Sequence, residues 1–164
     1  MVGMDQHDRC GTIKGFVALS DRLGTAGQPT EAQFADVAAA GYELVVNLGL
    51  PTSEGALPDE KAIVERHGLT YLALPIDFQT PRVEMAMRFF RVLDEYRSRR
   101  LFIHCAANMR VSALVFAYRV ARGDMSREEA WVDLVRIWQP NPTWQKFIEE
   151  VISAAIRTSS RPRR

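Results

Sequence analysis

The sequence predicts an α/β domain with a central, mainly parallel sheet of about 4–5 strands and helices on both faces. Three observations carry this. Strand-like runs alternate with helix-like runs from Gly15 to Ile152. The run Leu101-Phe102-Ile103 is short and wholly apolar, as in a strand covered on both sides. The length, 164 residues, suits one domain with a substantial core and hardly two.

The elements follow in order. Gly15–Ser20 and Arg22–Gly27 read as short strands forming a hairpin around Asp21. Thr30-Glu31-Ala32-Gln33 is a capping box that opens a helix to about Ala40, where Gly41 stops it. Glu43–Leu48 is a buried strand, followed by a Gly/Pro/Ser loop through Pro58 and a helix over Asp59–His67 that stops at Gly68. Thr70–Leu74 is the next strand. Thr80-Pro81 is expected to cap a helix striped by Val83, Met87, Phe90 and Leu93. After Leu101–His104 comes a largely apolar helix over Val111–Arg122. Ser126-Arg127-Glu128-Glu129 is a second capping box, and its helix stripes Ala130, Trp131, Leu134, Val135 and Trp138 inward. Asn141-Pro142 opens the last helix, with Trp144, Phe147, Ile148, Val151 and Ile152 facing in. These elements place a single domain over residues 12–156, with residues 1–11 and 157–164 as flexible tails.

Composition narrows the function classes. A net charge of +1 gives no field that points to nucleic acid or an anionic membrane. No apolar run approaches the roughly 18 residues of a membrane span, and the first ten residues lack the apolar stretch of a signal peptide. Cys10 and Cys105 are the two cysteines. With nothing else suggesting a disulfide scaffold, a reducing cytoplasm is expected, with Cys105 a free thiol.

Cys105 stands at the carboxyl end of its strand, where ligands bind in parallel sheets. A thiol is a useful nucleophile only as thiolate. A loop running from such a strand into a helix turns its N–H groups toward the positive helix end, which binds anions. Here the loop runs His104-Cys105-Ala106-Ala107-Asn108-Met109-Arg110-Val111-Ser112. Ala106 and Ala107 let backbone come close, and Asn108 is the non-glycine residue best able to turn left-handed. Arg110 offers a planar fork of donors to a tetrahedral oxyanion. Ser112 brings a hydroxyl to the helix start. Asp77, in the loop after Thr70–Leu74, is the best candidate to protonate a leaving oxygen, and Asp59 the weaker rival.

With His104-Cys105, Arg110 and Asp77 in place, the chain resembles the cysteine-dependent protein tyrosine and dual-specificity phosphatases. With Gly24-Thr25-Ala26-Gly27-Gln28-Pro29-Thr30 and Gly41–Leu48 added, it resembles more closely the phosphatase-like domain of bacterial beta-lactamase-hydrolase-like proteins, over about residues 16–152. The resemblance implies a tyrosine-phosphatase-like fold, a phosphorylated substrate, a phosphocysteine on Cys105 and Asp77 as general acid and then base. Phosphate would be held by Arg110 and the amides of His104, Ala106, Ala107, Asn108, Met109 and Val111, with Ser112 beside the thiolate. No metal, cofactor, nucleic acid or membrane partner is implied. The chain departs from the family pattern in one respect. The signature has five residues between Cys and Arg, and this sequence has four. Either the arginine is displaced by one residue, about 3.8 Å along the chain, with Val111 where it belongs, or the loop is one residue shorter and narrower; weak activity is expected in both cases.

The shorter spacing also fits rhodanese-like sulfurtransferases, whose cysteine carries a persulfide. A non-catalytic phospho-ligand binding module is a third reading. Supporting positions around the loop are Asn47, at a strand end, Gln28, in the Gly-Gln-Pro segment, and Gln139 and Asn141, between the last two helices. Substrate preference and oligomeric state are not legible in the sequence.

Overall fold

The computed structural model describes residues 9–159. Five strands, β1 (Val17–Ala18), β2 (Leu23–Ala26), β3 (Leu44–Asn47), β4 (Thr70–Ala73) and β5 (Leu101–His104), form one sheet in the order β1-β2-β5-β3-β4. β1 pairs antiparallel with β2, and every other pairing is parallel. Six helices are named among the described residues: α1 (Gln33–Ala39), α2 (Glu60–Arg66), α3 (Val83–Glu95), α4 (Met109–Arg122), α5 (Arg127–Val135) and α6 (Pro142–Ser159).

Strand alternation divides the core in two. Leu44, Val46, Leu101 and Ile103 point into a cluster with α3 to α6, which includes Phe89, Phe90, Leu114 and Trp144. Val45 and Phe102 point the other way, onto Phe34 and Val37 of α1 and Ile63 and Val64 of α2. The central place of β5 follows from its sequence: all four of its residues are buried. Asn47 of β3 and Ala26 of β2 stand directly across from His104. Both neighbouring strands therefore end level with it, at the edge where Cys105 emerges.

The Thr30–Gln33 box forms reciprocally, just ahead of a helix whose first residue is Gln33, and at Ser126 only the N-cap half forms. Thr30 Oγ1 accepts from the Gln33 N–H while Gln33 Oε1 accepts from the Thr30 N–H, and Ser126 Oγ accepts from the Glu129 N–H. Asn141 Oδ1 caps α6 by accepting from the Trp144 N–H at 2.9 Å.

Five expectations are corrected. α3 begins at Val83 with extended Arg82 before it, so Thr80-Pro81 does not cap it. α4 begins at Met109 rather than Val111, because Asn108 takes the left-handed conformation (φ 63°) that turns the chain into the helix. Trp131 is 37% exposed and meets Phe116 edge-on instead of lying in the core. Cys10, expected in a flexible tail, is 0% exposed and packs among Phe34, Val37 and Tyr42. Burial there, with Asp36 nearby, pushes its thiol up to about 11. At the other end α6 runs on to Ser159, past the boundary expected at residue 156. The remainder of both expected tails lies outside the described residues.

Candidate active site

The loop after β5 is built against the backbone of its neighbours. The Cys105 N–H donates to Ala26 O at 3.3 Å, and the Leu48 N–H donates to His104 O at 2.8 Å. One residue further, the Gln28 N–H donates to Ala106 O at 3.1 Å and the Gly27 N–H donates to Lys14 O at 2.7 Å. This approach demands a glycine at 27. A Cβ there would lie 2.7 Å from Ala106 O and 3.0 Å from Lys14 O, both backbone atoms. The Gly-Gln-Pro segment thus forms one wall of the loop.

Asn108 closes the other side. Its Nδ2 donates to Gly15 O at 2.9 Å and to Thr25 Oγ1 at 3.1 Å, tying the segment before β1 to the loop. The Ser112 N–H then donates to Asn108 O, and α4 has begun. Cys105, 1% exposed, sits at the base of this turn, facing the amino end of a 14-residue helix.

Arg110 occupies the first turn of α4 and is buried. Its Nη1 donates to Ile76 O at 2.9 Å and its Nη2 approaches Ser53 Oγ at 3.4 Å. Two of five guanidinium N–H groups are so used, which leaves donors for an anion. Ile76 immediately precedes Asp77. On the other side of Asp77, Phe78 O accepts from Trp144 Nε1 at 2.9 Å, and the Phe78 ring stacks on Trp144 with centroids 5.6 Å apart. Asp77 is thus held between two pinned carbonyls. Its Oδ1 accepts from the Gln79 N–H at 2.8 Å and the Thr80 N–H at 3.3 Å. These amides, with the Arg110 charge nearby, hold the exposed carboxyl below its ordinary value.

The structure therefore gathers Cys105, the loop residues Ala106, Ala107, Asn108 and Met109, Arg110 and Asp77 at one sheet edge. Val111 continues α4 into the core. Ser112 Oγ donates its single proton to Met109 O at 3.1 Å, so in this state the hydroxyl is spent on the helix rather than on the cysteine. Asn141 serves as the cap of α6, and Gln139 is exposed between α5 and α6. Asp59 is exposed at the start of α2. Trp138 packs against Phe78 and Trp144 at 5.6 and 6.0 Å.

Sequence reasoning missed Glu60. It is only 4% exposed and lies under the loop. Its Oε2 meets His104 Nε2 at 2.9 Å and accepts from Asn47 Nδ2 at 2.9 Å, while Oε1 accepts from Gln28 Nε2 at 2.6 Å. Within a helix of seven residues, one acidic side chain among several carried no signal of burial. Among the described residues no cluster of His, Cys, Asp and Glu is arranged to hold a metal ion, and no helix is long and apolar enough to cross a membrane.

A five-stranded sheet with a cysteine loop at its carboxyl edge, an arginine in the following helix turn and an aspartate loop beside them defines a phosphatase-type protein. Residues 18–150 match the family model described as DSP-PTPase phosphatase fused to NAD+ kinase, and the chain belongs to that family. It is 28% identical over 117 residues to a beta-lactamase hydrolase-like protein of Xylella fastidiosa, covering 70% of this chain and 27% of the relative. The chain thus spans about a quarter of the length of that relative. It is also similar to the solved structure of a DUF442 protein from Shewanella putrefaciens CN-32, with 29% identity, a TM-score of 0.81 and coverage of 91% of this chain and 98% of the other. A fold likeness extends to P. aeruginosa TpbA, solved in complex with pTyr, at 13% identity and a TM-score of 0.71, covering 90% of this chain and 91% of the other.

Proposed function

We propose that the chain is a cysteine-dependent phosphomonoester hydrolase. The Cys105 thiolate attacks the phosphorus of a bound monoester and the bond to the leaving oxygen breaks. Asp77 delivers a proton to that oxygen. The resulting phosphocysteine is hydrolysed when Asp77 accepts a proton from the attacking water, which releases inorganic phosphate and restores the thiolate. Arg110 and the loop amides stabilise the charge on the non-bridging oxygens.

The observation that carries this reading is the hydrogen bond from Arg110 Nη1 to Ile76 O. It supports Asp77 as acid by linking the residue next to it to the anion-binding loop. The short Cys-to-Arg spacing does not argue against the role. Helix α4 starts two residues early, so Arg110 already stands in its first turn. Because one terminal nitrogen is engaged to each flanking loop, turnover is expected to be modest. The substrate is a phosphorylated protein or small molecule, in keeping with the phosphotyrosine bound by the TpbA relative.

Pre-steady-state hydrolysis of p-nitrophenyl phosphate tests the scheme. A burst of p-nitrophenol stoichiometric with enzyme, lost in Cys105→Ser, is expected. Robust sulfur transfer from thiosulfate to cyanide with no ester turnover would overturn it in favour of a rhodanese-like activity. Phosphate binding without a burst would leave a non-catalytic binding module.

A further inference from the structure

The two motifs outside the cysteine loop, Gly27-Gln28-Pro29 and Val46-Asn47-Leu48, converge on one buried group. Asn47 and His104 are paired across β3 and β5, and both side chains point to the α2 face. Glu60, the first residue of α2, rises between them. Gln28, which holds Ala106 O through its backbone, holds Glu60 through its side chain.

The proton inventory of this group is constrained. Asn47 Oδ1 accepts from the Gly49 N–H at 2.8 Å, so the end of Asn47 that faces Glu60 is its NH2. Gln28 Nε2 also donates to Pro29 O, which fixes its orientation in the same way. Glu60 therefore receives two unambiguous amide donors and is held as a carboxylate. The His104 ring faces two acceptors: Glu60 Oε2 at 2.9 Å from Nε2, and Cys105 O at 3.3 Å from Nδ1. A ring nitrogen meets a carbonyl oxygen favourably only as a donor. A proton on each nitrogen would satisfy both contacts, and the ring is 0% exposed against the carboxylate.

We infer that Glu60 is a positioning residue for Cys105: by keeping His104 doubly protonated, it anchors the Cys105 carbonyl and holds a positive ring beside the nucleophile. This rests on the reading of Cys105 as nucleophile. The groups facing the pair are few. Phe34 of α1 and Phe102 of β5 close on the ring at 6.1 and 6.2 Å. Tyr71 of β4 accepts from Asn47 Nδ2 at 3.1 Å and lies against the carboxylate. Burial first, and then Glu60, push the Tyr71 phenol up to about 12. Burial opposes ionisation of Glu60, but the hydrogen bonds from His104, Gln28 and Tyr71 outweigh it and keep the carboxyl below its ordinary value.

The test uses the full chain labelled with 15N-histidine, the His104 signals being assigned by removing His7 and His67. At pH 7.5 both His104 ring nitrogens are expected to show protonated shifts, and Glu60→Gln is expected to lose one proton. In parallel, iodoacetamide alkylation of Cys105 at pH 6, read by mass spectrometry, is expected to slow about tenfold in Glu60→Gln. In Tyr71→Phe, which keeps the carboxylate, the rate should stay within about twofold of the parent. A neutral His104 in the parent protein overturns the inference, even where Glu60→Gln fails to fold. So does an unchanged alkylation profile in a folded Glu60→Gln. Neither measurement uses a phosphate ester. If both succeed while p-nitrophenyl phosphate is not hydrolysed, only the phosphatase reading falls.

Discussion

Replacing Gly27 with alanine places a methyl group where the structure has no room for one. The added carbon would stand 2.7 Å from Ala106 O, 3.0 Å from Lys14 O and 3.2 Å from Ala107 Cα. All three are backbone atoms, so no side chain can rotate away, and the wall and the cysteine loop must separate. Overpacking of this kind costs about 1–3 kcal/mol. Weakening the Gln28-to-Ala106 hydrogen bond adds about 0.5–1.5 kcal/mol. For a domain of this size the sum lowers Tm by about 5–15 °C. The displacement falls on the loop that would hold phosphate, where a shift of about 1 Å lowers turnover about a hundredfold. Thermal melts and p-nitrophenyl phosphate turnover well below the Tm measure both effects. Gly24→Ala is the control. Its Cβ would strike the tip of the Tyr42 side chain, away from the loop, so it should lose stability with turnover kept within about threefold. Parental turnover and an unchanged melt in Gly27→Ala would refute the reasoning.

Three further outcomes are expected. Asp77 is held ionised by the Gln79 and Thr80 amides and by Arg110, so its acid form is depleted as pH rises. The kcat/KM for phenyl phosphate should therefore fall with rising pH through the acid range, and Asp77→Asn should flatten that limb while leaving thiosulfate-to-cyanide transfer unaffected. Asn108→Ala loses two hydrogen bonds and forces alanine into a left-handed turn, at about 2–4 kcal/mol, whereas Asn108→Gly escapes the second penalty. Denaturant unfolding should rank alanine below glycine. The Glu60 carboxyl is lowered from 4.5 in the fold, so its contribution is present above that pH and is lost as pH falls through the folded value. The slope of Tm against pH below 4.5 should accordingly be shallower in Glu60→Gln than in the parent.

Much of the fold was legible because it is written in periodicity. The apolar run at Leu101 predicted a central strand, and β5 lies third of five. Ser126 announced its helix through an N-cap bond to Glu129, and Thr30 bonds reciprocally with Gln33, the first residue of α1. What failed depended on contacts distant in sequence. Cys10 sits in a polar stretch, and only the arrival of α1 makes it a core residue. The sequence pattern puts Arg110 in a loop ahead of a helix at Val111, and the left-handed turn at Asn108 moves that start. Of the candidate site, Cys105, Arg110 and Asp77 are singled out by residue chemistry in the sequence, and the fold brings them to one sheet edge. Glu60 is not, because its burial comes from the register that aligns Asn47 with His104.

The bond from Asn108 to Gly15 has a mechanical meaning. Lys14 and Gly15, through Gly27 and Asn108, grip the cysteine loop from outside, and Cys10 and Ile13 anchor that grip in the core. The segment that leads into β1 and the cysteine loop are thus bonded to one another directly, without the sheet between them. The amino-terminal segment is thereby part of the wall of the candidate site.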